Sequence, residues 1–98
     1  MIRSGPSDHG TVTEFKTLNQ MTSSAVQRSI KYAARQLRQH GSGDVFIDGR
    51  SVGLAEETAR HGYQRAHGEH RQRNKAMPNR VTFILADGSG LTLGGPNV

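Results

Sequence analysis

One segment of the chain has the spacing of a helix with a single apolar side. Its apolar residues are Val26, Ile30, Ala33, Ala34 and Leu37. They recur at intervals of four, three, one and three residues, which places them along one stripe of an α-helix. Residues 22 to 24 offer N-caps, and His40-Gly41 marks the end. Because such a stripe has to be covered, we expect this helix to pack on a sheet.

Four other segments have the pattern of β-strands. Residues 11 to 18 and 44 to 48 contain many β-branched and aromatic residues, and residues 81 to 86 resume the pattern. Asp87-Gly88 predicts a hairpin turn, after which residues 91 to 93 can pair back antiparallel. The sequence therefore predicts three strands along the chain and a fourth that closes a hairpin.

A second, weaker helix pattern lies between the second and third strands. Ser51 is a candidate N-cap. The apolar positions that follow it are Leu54, Ala55, Ala59 and Ala66. Gly62 weakens this helix in the middle, because glycine costs backbone entropy there. After His67 the sequence turns polar and basic, which predicts a loop or a frayed helical end up to residue 80.

These elements predict an α+β fold in the order β-α-β-α-β-β. We expect a small, mainly antiparallel sheet of about four strands with two helices on one face, and an open second face. Residues 1 to 10 contain almost nothing apolar and are predicted to be a flexible lead or a boundary, so residues 11 to 98 form one domain.

The balance of charges favours a polyanionic partner. Thirteen Lys and Arg stand against eight Asp and Glu, for a net charge of +5. Nucleic acid leads the list of such partners, although a basic chain can also be merely a soluble cation. Cysteine is absent, which excludes a disulfide framework and a thiolate zinc site. No apolar run approaches the ~20 residues that would span a bilayer.

Residues 60 to 80 carry the densest group of cations. Candidate RNA-binding residues in this segment are Arg60, His61, His70, Arg71, Arg73 and Lys75. Each cation that neutralises a phosphate releases a counterion, so several together give salt-sensitive affinity. The polar side of the first helix carries more cations, namely Arg28, Lys31, Arg35 and Arg38. Either group can also be a solvated surface without a ligand, and this is the more common case for the polar side of a helix.

Histidines among these cations suggest acid–base chemistry. His61, His67 and His70 are candidates for proton transfer, and each alone can also be a surface residue. RNA carries its own nucleophile, so a base for the 2′-hydroxyl proton and cations around the phosphorane suffice for strand cleavage. Cleavage of this kind leaves a 2′,3′-cyclic phosphate.

A metal site is not favoured. The three histidines are spaced by six and three residues, which does not place three imidazoles on one helical face. Glu14 and Lys16 imitate the Glu-x-Lys of metal-dependent nucleases, but the nearest preceding aspartate, Asp8, falls in the lead. We therefore expect no metal and no other cofactor.

Strand ends offer further candidate site residues. Alternation places Glu14 and Lys16 on one side of the first strand and Phe15 and Thr17 on the other. Lys16 is expected on the exposed side, where it could reach a phosphate. Asp48-Gly49-Arg50 ends the second strand and presents Arg50 to the same edge, unless it is an ordinary turn.

The order of these motifs resembles a known toxin family. Glu14-Phe-Lys-Thr17 lies on the first strand, Ser23-Ser24 precedes a helix, and Val45-Phe-Ile-Asp-Gly-Arg50 and Arg60-His-Gly-Tyr-Gln-Arg-Ala66 precede the hairpin. Over about residues 11 to 93 the chain is similar to the C-terminal tRNase toxin domains of CdiA contact-dependent growth inhibition proteins. These are placed in the barnase, EndoU, colicin and RelE superfamily.

The resemblance implies a role and a set of site residues. It implies a toxin that is part of a larger secreted or cell-surface bacterial protein, cuts tRNA in the target cell's cytoplasm, and is neutralised by a cognate immunity protein. Some relatives also use a translation elongation factor. Positions that match the family's motifs are Lys16, Thr17, Asp48, Arg50 and Arg65. His67 is a further candidate catalytic residue, but no histidine is fixed by the family pattern, so the identity of the general base stays open.

Two other classes of function remain open. A non-catalytic RNA- or DNA-binding module would use the same basic surface and give salt-dependent binding without product. A structural or assembly protein would show no affinity for RNA at low salt.

Overall fold

The computed structural model describes residues 12–40 and 43–94. The predicted lead lies outside the described residues. The elements in chain order are β1 (Val12–Thr17), α1 (Ser23–Leu37), a 3₁₀ turn (Arg38–His40), β2 (Gly43–Asp48), a second 3₁₀ turn (Arg50–Val52), α2 (Glu56–Gln72), β3 (Arg80–Ile84) and β4 (Gly90–Gly94). The predicted α+β class and the order β-α-β-α-β-β are confirmed.

The four strands form one sheet in the order β1-β2-β3-β4. β1 pairs parallel with β2, β2 pairs parallel with β3, and only β3 and β4 are antiparallel. The expectation of a mainly antiparallel sheet was therefore wrong. Each helix returns the chain to the edge where the preceding strand began, so the strands it connects run in the same direction, whereas the hairpin reverses direction.

The core lies between the sheet and the two helices. Alternate residues of the two central strands, Val45, Ile47, Val81 and Phe83, are fully buried. They join one apolar cluster with most of the α1 stripe and with Leu54, Ala59 and Ala66. The opposite face of the sheet exposes Phe15. Both helices thus cover one face, as predicted, because each has only one apolar side to bury.

The first helix follows its sequence pattern closely. Thr22 is the N-cap, and its Oγ1 accepts a hydrogen bond from the Ala25 N–H at 3.1 Å. Every residue of the predicted apolar stripe is buried, and the helix ends at Leu37.

The second helix differs from the prediction at both ends. Ser51 lies in the 3₁₀ turn, and the helix begins at Glu56 after Ala55, which makes no side-chain cap. It continues past His67 to Gln72, so part of the expected loop is helical. Glu56 and Glu57 favour the early part of the helix because carboxylates interact well with a helix N-terminus. His70 and Arg71 favour the last turn for the opposite reason.

The hairpin between β3 and β4 turns at Asp87-Gly88, as predicted. Gly88 has φ 86°, which glycine adopts without strain. Its N–H donates to the Leu85 carbonyl at 2.8 Å, while Asp87 Oδ1 accepts from the Ser89 N–H at 2.9 Å. Within the described residues no helix is both long and apolar enough to cross a membrane.

Candidate nucleic-acid interface

Cations at the C-terminal ends of α1 and α2, and in the turns that follow them, line a cleft, here called the α1–α2 cleft. Its lining residues are Lys31, Arg35, Arg38, Glu69, His70, Arg73 and Lys75. The α1 residues recur at intervals of four and three, so they share one side of that helix. Asn74, with φ 55°, follows Arg73, the C-cap of α2, and the Lys75 N–H donates to the His70 carbonyl at 2.8 Å. This turn brings Lys75 back to the cleft.

One carboxylate faces five cations in the cleft. Glu69 lies 3.5 Å from both Lys31 Nζ and Arg73 Nε, and Gln27 Nε2 donates to it at 3.0 Å. The Gln27 hydrogen bond, and then the two cations, lower the pKa of Glu69, so it is ionised at neutral pH. It neutralises only part of the surrounding charge, and the cleft keeps a positive field that favours anions.

Three of the cleft's cations have no carboxylate partner among the described residues. Arg35 lies over the Tyr32 ring, 5.8 Å from its centroid, and neither Arg38 nor Lys75 makes an ion pair in this part of the chain. All three side chains are exposed. As far as the described residues go, they can meet phosphate oxygens without first breaking an ion pair.

His70 forms part of the wall of the cleft and is only 4% exposed. Its Nδ1 lies 2.7 Å from the Ala66 carbonyl, which can only accept, so Nδ1 carries a proton and donates it. Nδ1 makes the ring's hydrogen bond within the described residues, and in the neutral ring Nε2 is the acceptor. The sequence predicted a loop or a frayed helical end after His67; His70 lies in the helix, because α2 extends to Gln72.

A second group of predicted residues meets at the carboxyl ends of β1 and β2. Thr17 and Asp48 are partners in the strand register and lie on the open face of the sheet. Asp48 Oδ2 accepts from Arg50 Nη2 at 2.8 Å, and Oδ1 accepts from Arg50 Nε at 3.1 Å and from its N–H at 3.0 Å. These side-chain bonds lower the pKa of Asp48 to about 2. Asp48 is therefore ionised, and its carboxylate holds the side chain of Arg50 at the end of β2.

Lys16 lies on the other side of the sheet from Thr17 and Asp48. It pairs in register with the buried Ile47, and its Nζ donates to Gln36 Oε1 on α1 at 2.6 Å. The alternation of Lys16 and Thr17 is confirmed, but the expectation that Lys16 is on the exposed face was wrong. β1 is an edge strand, so a long side chain on its helix-facing side can extend along α1.

The remaining candidates are spread along α2 outside the cleft. Arg65 Nη1 donates to Ser23 Oγ at 3.1 Å, near the start of α1. His67 is exposed, with its ring centroid 6.3 Å from that of Tyr63. Arg60 pairs with Glu56 at 2.8 Å. His61 and Arg71 border two other shallow depressions of the surface.

Sequence reasoning thus brought together only part of the candidate site. Of the predicted RNA-binding residues, His70, Arg73 and Lys75 share the α1–α2 cleft. The predicted catalytic residues lie in separate places, since Lys16 and Asp48 occupy opposite faces and Arg65 and His67 lie on α2. From the sequence, Lys31, Arg35 and Arg38 are predicted only to share the polar side of the first helix. Their spacing is the signal that could have assigned them to one binding site.

No three His, Asp or Glu side chains of the described residues come together as metal ligands. Comparison with known proteins finds no matching family model, no matching curated protein and no matching solved structure. The resemblance to toxin domains stays a prediction from the sequence, and the α1–α2 cleft has to be interpreted on its own chemistry.

Proposed function

We propose that the protein is a metal-independent endoribonuclease that holds the RNA backbone in the α1–α2 cleft and cuts it there. The observation that supports this proposal is the presence of five cations around one histidine whose ring is oriented by a backbone carbonyl. The cations suit phosphates, and an oriented imidazole suits proton transfer.

Binding in the cleft rests on charge. Arg35, Arg38 and Lys75 can each neutralise a phosphate, and the counterions released make the affinity fall as salt rises. Phosphate contacts position a nucleic acid but carry little sequence information. The cleft therefore explains affinity for RNA and leaves the choice of RNA to other surfaces.

Cleavage rests on His70. With Nδ1–H held by Ala66, Nε2 accepts the proton of a ribose 2′-hydroxyl. The 2′-oxygen forms a bond to phosphorus while the bond from phosphorus to the 5′-oxygen breaks, and the leaving 5′-oxygen takes a proton from water. The products are a 2′,3′-cyclic phosphate and a 5′-hydroxyl. The surrounding cations stabilise the extra negative charge of the phosphorane.

The resemblance noted in the sequence extends the proposal to biology. It makes tRNA the substrate, an immunity protein the inhibitor and an elongation factor a further partner in some relatives. An inhibitor acting on the α1–α2 cleft has to offer carboxylates where phosphates bind, because such complementarity gives fast, salt-dependent association.

A non-catalytic RNA-binding module is the second candidate. The specific observation in its favour is the separation of the residues predicted to be catalytic, with Lys16 and Asp48 on opposite faces of the sheet. This module would use the same cations and leave the RNA intact.

Product chemistry separates the two candidates. We expect the purified protein to cut total RNA in the presence of EDTA. The new 5′ ends should be hydroxyls, which polynucleotide kinase labels with phosphate from ATP without prior phosphatase treatment. The opposite ends should be cyclic phosphates. RNA that binds at low salt and stays intact over a long incubation would reject the nuclease and leave the binding module.

A further inference from the structure

The open face of the sheet carries an aromatic pair that the α1–α2 cleft does not use. The rings of Phe15 and Phe46 stack with centroids 5.2 Å apart and planes at 21°. Phe15 is 69% exposed, although it sits in the middle of β1. The two rings together form an exposed aromatic patch, and apolar patches of this kind mark binding sites on protein surfaces.

The charged residues of this face form pairs of opposite charge. Asp44 lies 3.6 Å from Arg80, and Asp48 lies 2.8 Å from Arg50. Thr82 and Thr92 share a hydrogen bond of 2.9 Å between their hydroxyls. The face therefore lacks the positive field that attracts a phosphate backbone, and its exposed feature is a flat apolar ring.

A nucleobase fits this chemistry better than a phosphate. The faces of bases are flat and uncharged, and unpaired bases of single-stranded RNA stack on aromatic side chains. The net charge of +5 makes a polyanion the favoured macromolecule, so the ring is best matched by the uncharged part of that polyanion.

The edge strand connects the aromatic pair to the helices. Lys16, beside Phe15 in β1, extends along the helix-facing side and bonds Gln36 on α1, the helix that also carries Arg35. The ammonium group of Lys16 therefore lies next to α1, on the opposite side of β1 from the Phe15 ring.

We propose that Phe15, supported by Phe46, is a stacking site for an unpaired base of single-stranded RNA. This inference rests on the proposed binding of RNA. It assigns base contacts to the open face of the sheet and phosphate contacts to the helices.

The test compares a ligand with bases and a polyanion without them. Phe15→Ala should weaken binding of a single-stranded 2′-O-methyl oligonucleotide, which has no 2′-hydroxyl to attack, about tenfold. Binding of inorganic polyphosphate should be unchanged, and so should the salt dependence of oligonucleotide binding. Phe15→Leu, which keeps an apolar side chain but removes the ring, should lose affinity as well. Met21→Ala removes another exposed apolar residue and serves as the matched control.

The outcomes separate this inference from the proposed function. Unchanged oligonucleotide affinity in Phe15→Ala, or full affinity in Phe15→Leu, would overturn the stacking site and favour a protein partner for this face. Failure of the wild-type protein to bind polyphosphate at low salt would instead reject phosphate binding in the cleft.

Discussion

Replacing His70 with glutamine should lower the rate of RNA cleavage by about 10²- to 10⁴-fold, the usual contribution of a general base. Glutamine can keep a hydrogen bond to the Ala66 carbonyl but has no basic nitrogen to accept the 2′-hydroxyl proton. RNA affinity should be largely retained, because the cations of the α1–α2 cleft remain. Single-turnover cleavage and equilibrium binding measured on the same RNA would show this division.

His70 is buried, so its role in folding has to be separated from its role in catalysis. His70→Phe fills a similar space without a proton acceptor and should be equally inactive if it folds, which circular dichroism would establish. His67→Gln alters an exposed histidine on the same helix and should cleave like the wild type. A folded His70→Gln protein with wild-type cleavage rates would remove His70 from the mechanism.

Gly62→Ala should lower the free energy of unfolding by about 1–3 kcal/mol, even though alanine is the better helix former. A Cβ at this position would lie 2.4 Å from Val26 Cβ and 2.9 Å from the Ser23 carbonyl oxygen. The first is a fully buried residue and the second is backbone, so neither can simply turn away. α1 and α2 would have to separate, which would also widen the cleft between them.

Gly68→Ala on the same helix is the matched control. A Cβ there meets nothing within 4 Å, so the substitution should stabilise the protein by up to about 1 kcal/mol. Urea unfolding of both variants would measure the difference. Equal effects of the two substitutions would mean that α1 and α2 do not approach as closely at Gly62 as the structure has them.

The sequence predicted the elements whose signals are local. The α1 stripe and the Asp87-Gly88 turn were recognisable because helix periodicity and hairpin chemistry act over a few residues. Parallel pairing of β1, β2 and β3 depends on how the connecting helices cross the sheet, which short patterns do not record. The start of α2 was misplaced because Ser51, a good cap by type, was used in a 3₁₀ turn instead.

The candidate site was harder to predict because it is made of two helices. Arg73 and Lys75 were recognised as phosphate binders from local charge, but Arg35 and Arg38 are nearly forty residues earlier and meet them only after α1 and α2 pack. The prediction for Lys16 was wrong because strand alternation shows which residues share a face of the sheet. It does not show which of the two faces the helices cover.

Chemical-shift mapping of RNA on the protein tests the central claim most directly. A 2′-O-methyl oligonucleotide titrated into ¹⁵N-labelled protein can bind but cannot be cut. We expect the backbone amides of residues 31 to 38 and 69 to 75, and the ring nitrogens of His70, to shift together and to return as salt is added. Shifts confined to other surfaces, with the residues of the α1–α2 cleft unchanged at saturation, would contradict the proposed site.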